Sequence, residues 1–386
     1  MDEFEFGKGT AADRSEIVDF GNYVFSHDHG STDFPTLLPR LYGPEADTSG
    51  YHYLAKKDGR IVAMIGAFPF RMSIMGQTFR ACGIGTVSVH PYCRGRGLMK
   101  LLLKTAVEDM RKSGIAFTTL SGQRQRYEYF GYEPCGVLIN FLVSQKNIRH
   151  YYRGRDFAPL TFLPLKPDDA ESLHKAMRLH ERQPLRVLRS EEEFEIVCRS
   201  WYETPFLIQQ DGRFCGYLVC SSDRKTISEL ELEDAALLPD ALEAYLSSFG
   251  MESVNYSLPP FAKDQLQILE AFSEAYSIDV AHSFRIFDYK NLIRQLLLLK
   301  ATYAKLANGR LILKIGEDRP LAVEVDGQKI SVEETAEQPD ISLEPLKAMR
   351  FLLSPMSAFF DYAPECENLA ASWFPLPLSL LRSDET

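Results

Sequence analysis

The 386-residue chain lacks several features that would place it in a simple class. No apolar run is long enough to span a membrane, and the leucine run Leu296–Leu299 ends at Lys300. There is no excess of basic residues: 43 Lys and Arg face 53 Asp and Glu, a net charge of −10, which argues against a nucleic-acid partner. The acidic first residues differ from the basic start of a signal peptide. We therefore expect a cytoplasmic protein that binds neither membranes nor nucleic acid.

Metal and disulfide sites also lack support. The chain has seven cysteines, an odd number, and none of them has C-x-x-C spacing. We predict that they are small core residues in a reducing compartment. They are Cys82, Cys93, Cys135, Cys198, Cys215, Cys220 and Cys366. His27-Asp28-His29 with Asp33 contains metal-ligand residue types, but no further ligand follows at a recognised spacing. We expect no metal.

The most informative segment is Val87–Lys100, VSVHPYCRGRGLMK. A strand-like Val87-Ser88-Val89 leads through a turn into a helix. The sequence Arg94-Gly95-Arg96-Gly97-Leu98 exposes backbone N–H groups at the helix N-terminus, where unsatisfied donors and the helix dipole stabilise an anion. Arg94 and Arg96 add charge suited to a pyrophosphate. This R-G-x-G pattern resembles the acetyl-CoA site of the GCN5-related N-acetyltransferases, the GNAT superfamily.

The residues downstream strengthen that resemblance. Apolar residues at helical spacing follow Gly97, Gly114 ends the predicted helix, and Ile115–Leu120 is predicted as a buried strand. Tyr127 and the turn Phe130-Gly131-Tyr132 then match the GNAT layout. In the family this tyrosine protonates the departing CoA thiolate, and a phenol with an ordinary pKa near ~10 can do so at neutral pH.

The length predicts more than one domain. We predict a mixed α/β architecture with a GNAT acetyl-CoA domain at 1–148 and a second GNAT-like domain at 149–285. In the second, Glu231-Leu232-Glu233-Asp234 stands where the phosphate turn would be, so we expect no CoA there. A small α+β domain at 286–386 resembles the sterol-carrier-protein fold.

This three-part order resembles the Eis (enhanced intracellular survival) family of N-acetyltransferases. The resemblance implies a homo-hexamer, and a small-molecule amine acceptor such as an aminoglycoside or another polyamine. It also implies that the carboxylate of the last residue is the general base. Here that residue is Thr386, whereas the family typically ends in an aromatic residue; Glu385, Asp384 or water are alternative bases. Because the last three residues are polar and terminal, we expect their deletion to leave the fold intact.

The predicted reaction is direct acetyl transfer. The free edge of Val87-Ser88-Val89 binds pantetheine as an added strand would, and the amides from Cys93 to Leu98 bind the pyrophosphate. Backbone donors at Val87 and Val89 stabilise the oxyanion, and Tyr127 protonates the thiolate.

Three alternatives stay open. An aminoacyl transferase of the peptidoglycan cross-bridge type also pairs two GNAT-like units. Such enzymes take their aminoacyl group from aminoacyl-tRNA, and the net negative charge of this chain disfavours binding of that RNA. A lipid or small-molecule binding protein would use the C-terminal domain and leave the Arg94–Gly97 turn unused. A CoA-binding scaffold without turnover is the third.

Overall fold

The computed structural model describes residues 3–359 and 364–386, apart from the side chains of residues 29, 358 and 364–367. The prediction that Cys366 is a core residue concerns a side chain outside the description. Three sheets organise the chain, of eight, seven and four strands, and they confirm the predicted mixed α/β class.

The first part of the chain builds most of the eight-stranded sheet. Its elements are β1 Glu5–Lys8, α1 Arg14–His29, α2 Phe34–Leu37, α3 Pro39–Tyr42, β2 His52–Lys57, β3 Arg60–Ile74, β4 Gln77–Val89, α4 Leu98–Lys112, β5 Phe117–Leu120, α5 Arg124–Tyr127 and β6 Glu133–Cys135. The predicted helix after Gly97 and the predicted strand before Ser121 are both present.

Alternating side chains of β2 and β3 cover the two faces of this sheet. Ala55, Ala63 and Ile65 pack with the apolar side of α4, whereas Leu54 and Met64 pack with α1 to α3. Because side chains alternate between the two faces of a strand, both faces of the sheet are apolar. One face is covered by the apolar side of α4 and the other by α1 to α3.

The middle of the chain builds the seven-stranded sheet and several inserted elements. These are β7 Leu138–Ser144, α6 Gln145–Tyr151, β8 Leu160–Pro164, α7 Ala170–His180, β9 Leu185–Val187, α8 Glu191–Cys198, β10 Thr204–Gln210, β11 Arg213–Cys220, β12 Thr226–Leu232, α9 Leu238–Ser248, β13 Ser253–Leu258, α10 Lys263–Glu270, β14 Ala275–Asp279 and β15 His282–Ile286. The second sheet has the order β14-β7-β13-β12-β11-β10-β8.

The first two sheets exchange strands. β15 lies between β5 and β6 in the first sheet, and β7 lies between β13 and β14 in the second. Sheet membership therefore does not follow the predicted divisions at 148 and 285: the first sheet loses residues 138–144 and gains 185–187, which pair with β3, and 282–286. The predicted division at 148 falls inside α6, where Arg149 pairs with Glu243 of α9.

The last part forms a four-stranded sheet packed on helices. Its elements are α11 Tyr289–Ala301, β16 Gly309–Ile315, β17 Leu321–Asp326, β18 Lys329–Glu334, β19 Ile341–Leu343, α12 Pro345–Leu353 and α13 Pro364–Trp373. Its core is continuous with that of the first sheet, since Phe79 and Phe117 belong to the same apolar cluster as Leu313 and Trp373. The unit is α+β as expected, and its likeness to a sterol-carrier protein stays a prediction. None of the described helices has the length and apolarity to cross a bilayer.

Candidate active site

The site begins where two parallel strands separate. β4 pairs with β5 from Ala81 opposite Phe117 to Ile84 opposite Leu120, and there the pairing ends. β4 continues to Val89, while the chain leaves β5 at Ser121. On that side, residues Gly85–Val89 have no partner strand within the described chain. The predicted pantetheine strand Val87-Ser88-Val89 therefore borders an open cleft, as strand addition requires.

The glycine turn closes one end of this cleft. Gly95 and Gly97 have φ values of 79° and 78°, the left-handed region that favours glycine, and a side chain on either would point into open space. Gly97 caps α4 and accepts from the Leu101 amide at 3.0 Å. In the described part of the chain, the amides from Gly95 to Lys100 have no acceptor. The turn therefore offers free N–H groups at a helix N-terminus, which fits a pyrophosphate.

The two arginines of the turn already bind carboxylates. Arg94 lies 2.7 Å from Asp28 of α1, and Arg96 pairs with Glu3. Hydrogen bonds from His27 and then Arg94 lower the pKa of Asp28. Because all these groups are partly exposed, a phosphate can compete for both arginines. Leu98 is buried against the sheet, so only its amide faces the turn.

The His27 region does not form a metal centre in the described part of the molecule. No group of three or more metal-ligating side chains occurs there or elsewhere among the described residues. The side chain of His29 lies outside the description.

Tyr127 ends α5 in a buried position, with only 7% of its surface exposed. Its ring packs directly on Gly122, where a Cβ would lie 2.3 Å from a ring carbon. Burial raises the pKa of Tyr127, against the opposing effect of Arg126. The phenol is therefore protonated at neutral pH, as a proton donor must be.

The predicted aromatic turn supports this tyrosine. Gly131 is left-handed at φ 78°, Arg285 of the exchanged β15 donates to the Phe130 carbonyl, and the Thr118 hydroxyl donates to the Tyr132 oxygen at 2.8 Å. β15, which joins the first sheet from a later part of the chain, thus holds the aromatic turn in place through Arg285.

Thr386 lies on β4, far in sequence from the rest of the site. A Cβ on Gly83 would lie 2.3 Å from the Thr386 hydroxyl, and one on Gly85 would lie 2.9 Å from the Thr386 carboxyl carbon. The terminal residue therefore occupies space that exists because both positions are glycine. Sequence reasoning missed this pair, although the Gly83-Ile84-Gly85 alternation on one strand face was visible.

A buried ion cluster anchors the C-terminal tail. Arg189 donates to both oxygens of Asp384 at 2.9 Å and contacts Glu229 at 2.8 Å, and all three side chains are about fully buried, with 1% exposed. Burial would raise the pKa of Glu229, but Arg189 overcomes this and lowers it to about 2. The premise behind the expected tolerance of the fold to deletion of Asp384–Thr386 is wrong, because Asp384 is a buried ion-pair partner and not a frayed end.

Glu385 connects the tail to the other side of the cleft. It accepts from the Ser121 hydroxyl at 3.4 Å and lies 3.6 Å from His282 Nδ1. Burial raises the pKa of Glu385 to about 7 and lowers that of His282 to about 4. Because Ser121 precedes Gly122, which touches the Tyr127 ring, the tail and the tyrosine meet at the end of β5.

Comparison with known proteins shows which family has a domain similar to the one that contains this site. Residues 5–135 match the family model described as an acetyltransferase (GNAT) domain. The first unit is a GNAT acetyltransferase domain. The chain is accordingly an acyltransferase, and GNAT domains use acetyl-CoA, which the open cleft and glycine turn fit.

Solved structures of similar fold cover the entire chain. They include a GCN5-related N-acetyltransferase from Anabaena variabilis (TM-score 0.68, 16% identity), one from Kribbella flavida (0.66, 16%) and Eis1 from Mycobacterium abscessus (0.66, 14%). Each match covers 99% of this chain and 100%, 98% and 100% of those chains, respectively. At these identities the likeness shows the shared fold. No curated protein matches the sequence.

Proposed function

We propose that this GNAT domain transfers the acetyl group of acetyl-CoA directly to a primary amine. Tyr127 is the general acid and the Thr386 carboxylate is the general base. The observation that carries the proposal is the position of the chain terminus: its carboxyl carbon lies on Gly85 of β4, two residues before the open edge at Val87.

The chain's own residues supply each requirement of the reaction. The amides from Gly95 onward hold the pyrophosphate, and the edge of Val87–Val89 orients the thioester arm. The Thr386 carboxylate takes a proton from the acceptor ammonium, so that the amine nitrogen can attack the thioester carbonyl. As the C–N bond forms, backbone donors of β4 stabilise the oxyanion. The C–S bond then breaks, and the Tyr127 hydroxyl gives its proton to the thiolate. The nitrogen loses its second proton as the neutral amide forms, and this proton restores the Tyr127 phenol.

The position of the tail supports Thr386 over its neighbours as the base. Asp384 is held by Arg189, away from the glycine pair. Glu385 faces Ser121 and His282. The net charge of −10 favours a cationic acceptor, and an aminoglycoside or another polyamine is the class we propose.

Replacement of Tyr127 by phenylalanine tests the acid assignment. Tyr127→Phe keeps the ring on Gly122 and removes only the proton donor. We expect unchanged acetyl-CoA affinity by calorimetry and a turnover about 10²- to 10⁴-fold lower. Tyr129→Phe, at a neighbouring tyrosine that is 80% exposed, is the matched control and should keep wild-type turnover. Wild-type turnover by Tyr127→Phe would leave water as the proton donor and refute the assignment.

A further inference from the structure

The second sheet contains a cavity of about 280 Å³ that the proposed reaction does not use. β12 and β13 pair only at Thr226–Asn255 and Ile227–Tyr256 and then separate, and the cavity lies between them. β9 and the C-terminal tail cover it. Tyr127, Thr386 and the glycine turn of α4 are not among its lining residues.

An acidic side chain, Glu231, and a basic one, Arg186, face this cavity without pairing with each other. The other ionisable side chains in the lining have charged or titratable partners elsewhere: Glu229, Arg382, Asp384 and Glu385. Gln183 donates to one oxygen of Glu231 at 2.7 Å, and its carbonyl accepts from Arg186 at 2.7 Å. The other Glu231 oxygen accepts no hydrogen bond from the described residues. The Arg186 Nε is buried without a partner, and Arg186 forms no ion pair with any carboxylate in the described chain. Gln183 thus contacts both groups, Glu231 through its side-chain amide and Arg186 through its backbone carbonyl, and each of the two groups has unused hydrogen-bonding capacity.

The remaining walls are mostly apolar. They include Met72, Leu185, Leu258, Phe261 and Leu380. A phosphate-bearing ligand is disfavoured, because Glu229, Asp384 and Glu385 add carboxyl groups to the lining. The cavity suits a small ligand, since its volume is near the lower end of the range for ligand pockets.

We propose that this cavity binds a free α-amino acid with an apolar side chain. The ammonium group pairs with Glu231, the carboxylate accepts from Arg186, and the side chain packs on the apolar wall. A zwitterion gives a partner to both side chains at once, whereas a simple amine leaves Arg186 without a partner and a simple acid leaves Glu231 without one.

Because of the surroundings of Glu231, ligand binding is coupled to the loss of a proton from its carboxyl group. Burial raises the pKa of Glu231 to about 8; Gln183 and Arg182 oppose the shift, and Glu229 on the same strand adds to it. Tyr217 of β11 and Tyr256 of β13 also face it, and burial keeps both phenols neutral. Glu231 is therefore mostly protonated at pH 7 in the empty cavity. An arriving ammonium group ionises it, so binding releases a proton.

Calorimetry on the full chain without acetyl-CoA tests the proposal. The probes are L-leucine, 3-methylbutylamine, which lacks the carboxylate, and 4-methylpentanoate, which lacks the ammonium group. We expect both analogues to bind about 10- to 100-fold more weakly than leucine. Leucine titrated at pH 7 in two buffers of different ionisation enthalpy should show proton release.

Variants at Glu231 and Arg186 measure the contribution of each side chain to binding separately. Glu231→Gln should weaken leucine and the amine but not the acid, and Arg186→Met should weaken leucine and the acid but not the amine. Lys263→Met removes an exposed cation next to the lining residue Ala262, is the control, and should keep leucine affinity. If Glu231→Gln lowers thermal stability, Ala262→Leu fills the cavity instead and should abolish leucine binding.

Absence of leucine binding, binding that survives both charge variants, or binding without proton release would each overturn the proposal. Acetyl transfer by the wild type does not depend on this site, so failure here leaves the proposed reaction unaffected.

Discussion

Gly97 combines a left-handed backbone with a free amide at the start of α4. A valine there is strained and places its side chain in the space where the phosphates would lie. We predict that Gly97→Val lowers acetyl-CoA affinity at least about tenfold, measured by calorimetry.

The same helix provides a matched control for this strain. Gly114, after the end of α4, has a φ of 70° and equally open surroundings. Gly114→Val should cost similar stability and leave acetyl-CoA affinity unchanged. Equal losses of affinity in both variants would mean that the turn does not bind the phosphates.

Residues of the glycine turn and Tyr127 could be identified from sequence because their pattern is local. The spacing from Val87 to Tyr132 contains the strand, the turn, the helix and the tyrosine in order. Arg189 could not be identified in this way, because its partner Asp384 lies 195 residues away and nothing in either neighbourhood indicates the other.

At the scale of elements, the number of residues after the anchored Asp384 sets how far the proposed base reaches along β4. Deletion of Thr386 moves the terminal carboxylate back by about 3.3–3.6 Å, and addition of one glycine moves it forward by a similar distance. Both changes leave the Arg189–Asp384 pair in place. We predict that each lowers kcat about 10²-fold or more, with acetyl-CoA affinity retained.

The kinetics of these two variants also test the alternative bases. If Glu385 or water removes the proton, a one-residue shift of the terminus leaves kcat and its pH dependence at wild-type values.

The exchange of β7 and β15 shows that strands could be predicted from sequence, whereas the sheet that each strand joins could not. Their identity as strands follows from local apolar and β-branched residues, but their sheet depends on which edge is vacant after the whole chain has folded. Sequence order suggested two separate units. The structure instead ties them together, and β15 supplies the Arg285 contact to the aromatic turn.

At the scale of the whole molecule, the Arg189 cluster joins the second unit to the C-terminal tail. The pKa of Glu229 is depressed from 4.5 to about 2, so its stabilising effect is fully present above about pH 4.5 and is lost as the pH falls towards 2. We predict that the free energy of unfolding falls by up to about 3 kcal/mol more in the wild type than in Glu229→Gln over this interval. Parallel denaturant curves for the two proteins at pH 5 and pH 3 would contradict this role.

The central claim is acetyl transfer from acetyl-CoA to an amine, and product formation tests it most directly. The full chain is mixed with acetyl-CoA and a panel of amines that includes aminoglycosides, linear polyamines and a tertiary amine as control. Thiol release and the acetylated product are then quantified together. We predict thiol release in equal amount to an N-acetylated primary amine, and none with the tertiary amine. Tight binding of acetyl-CoA without a product from any amine would contradict the account and leave a CoA-binding scaffold.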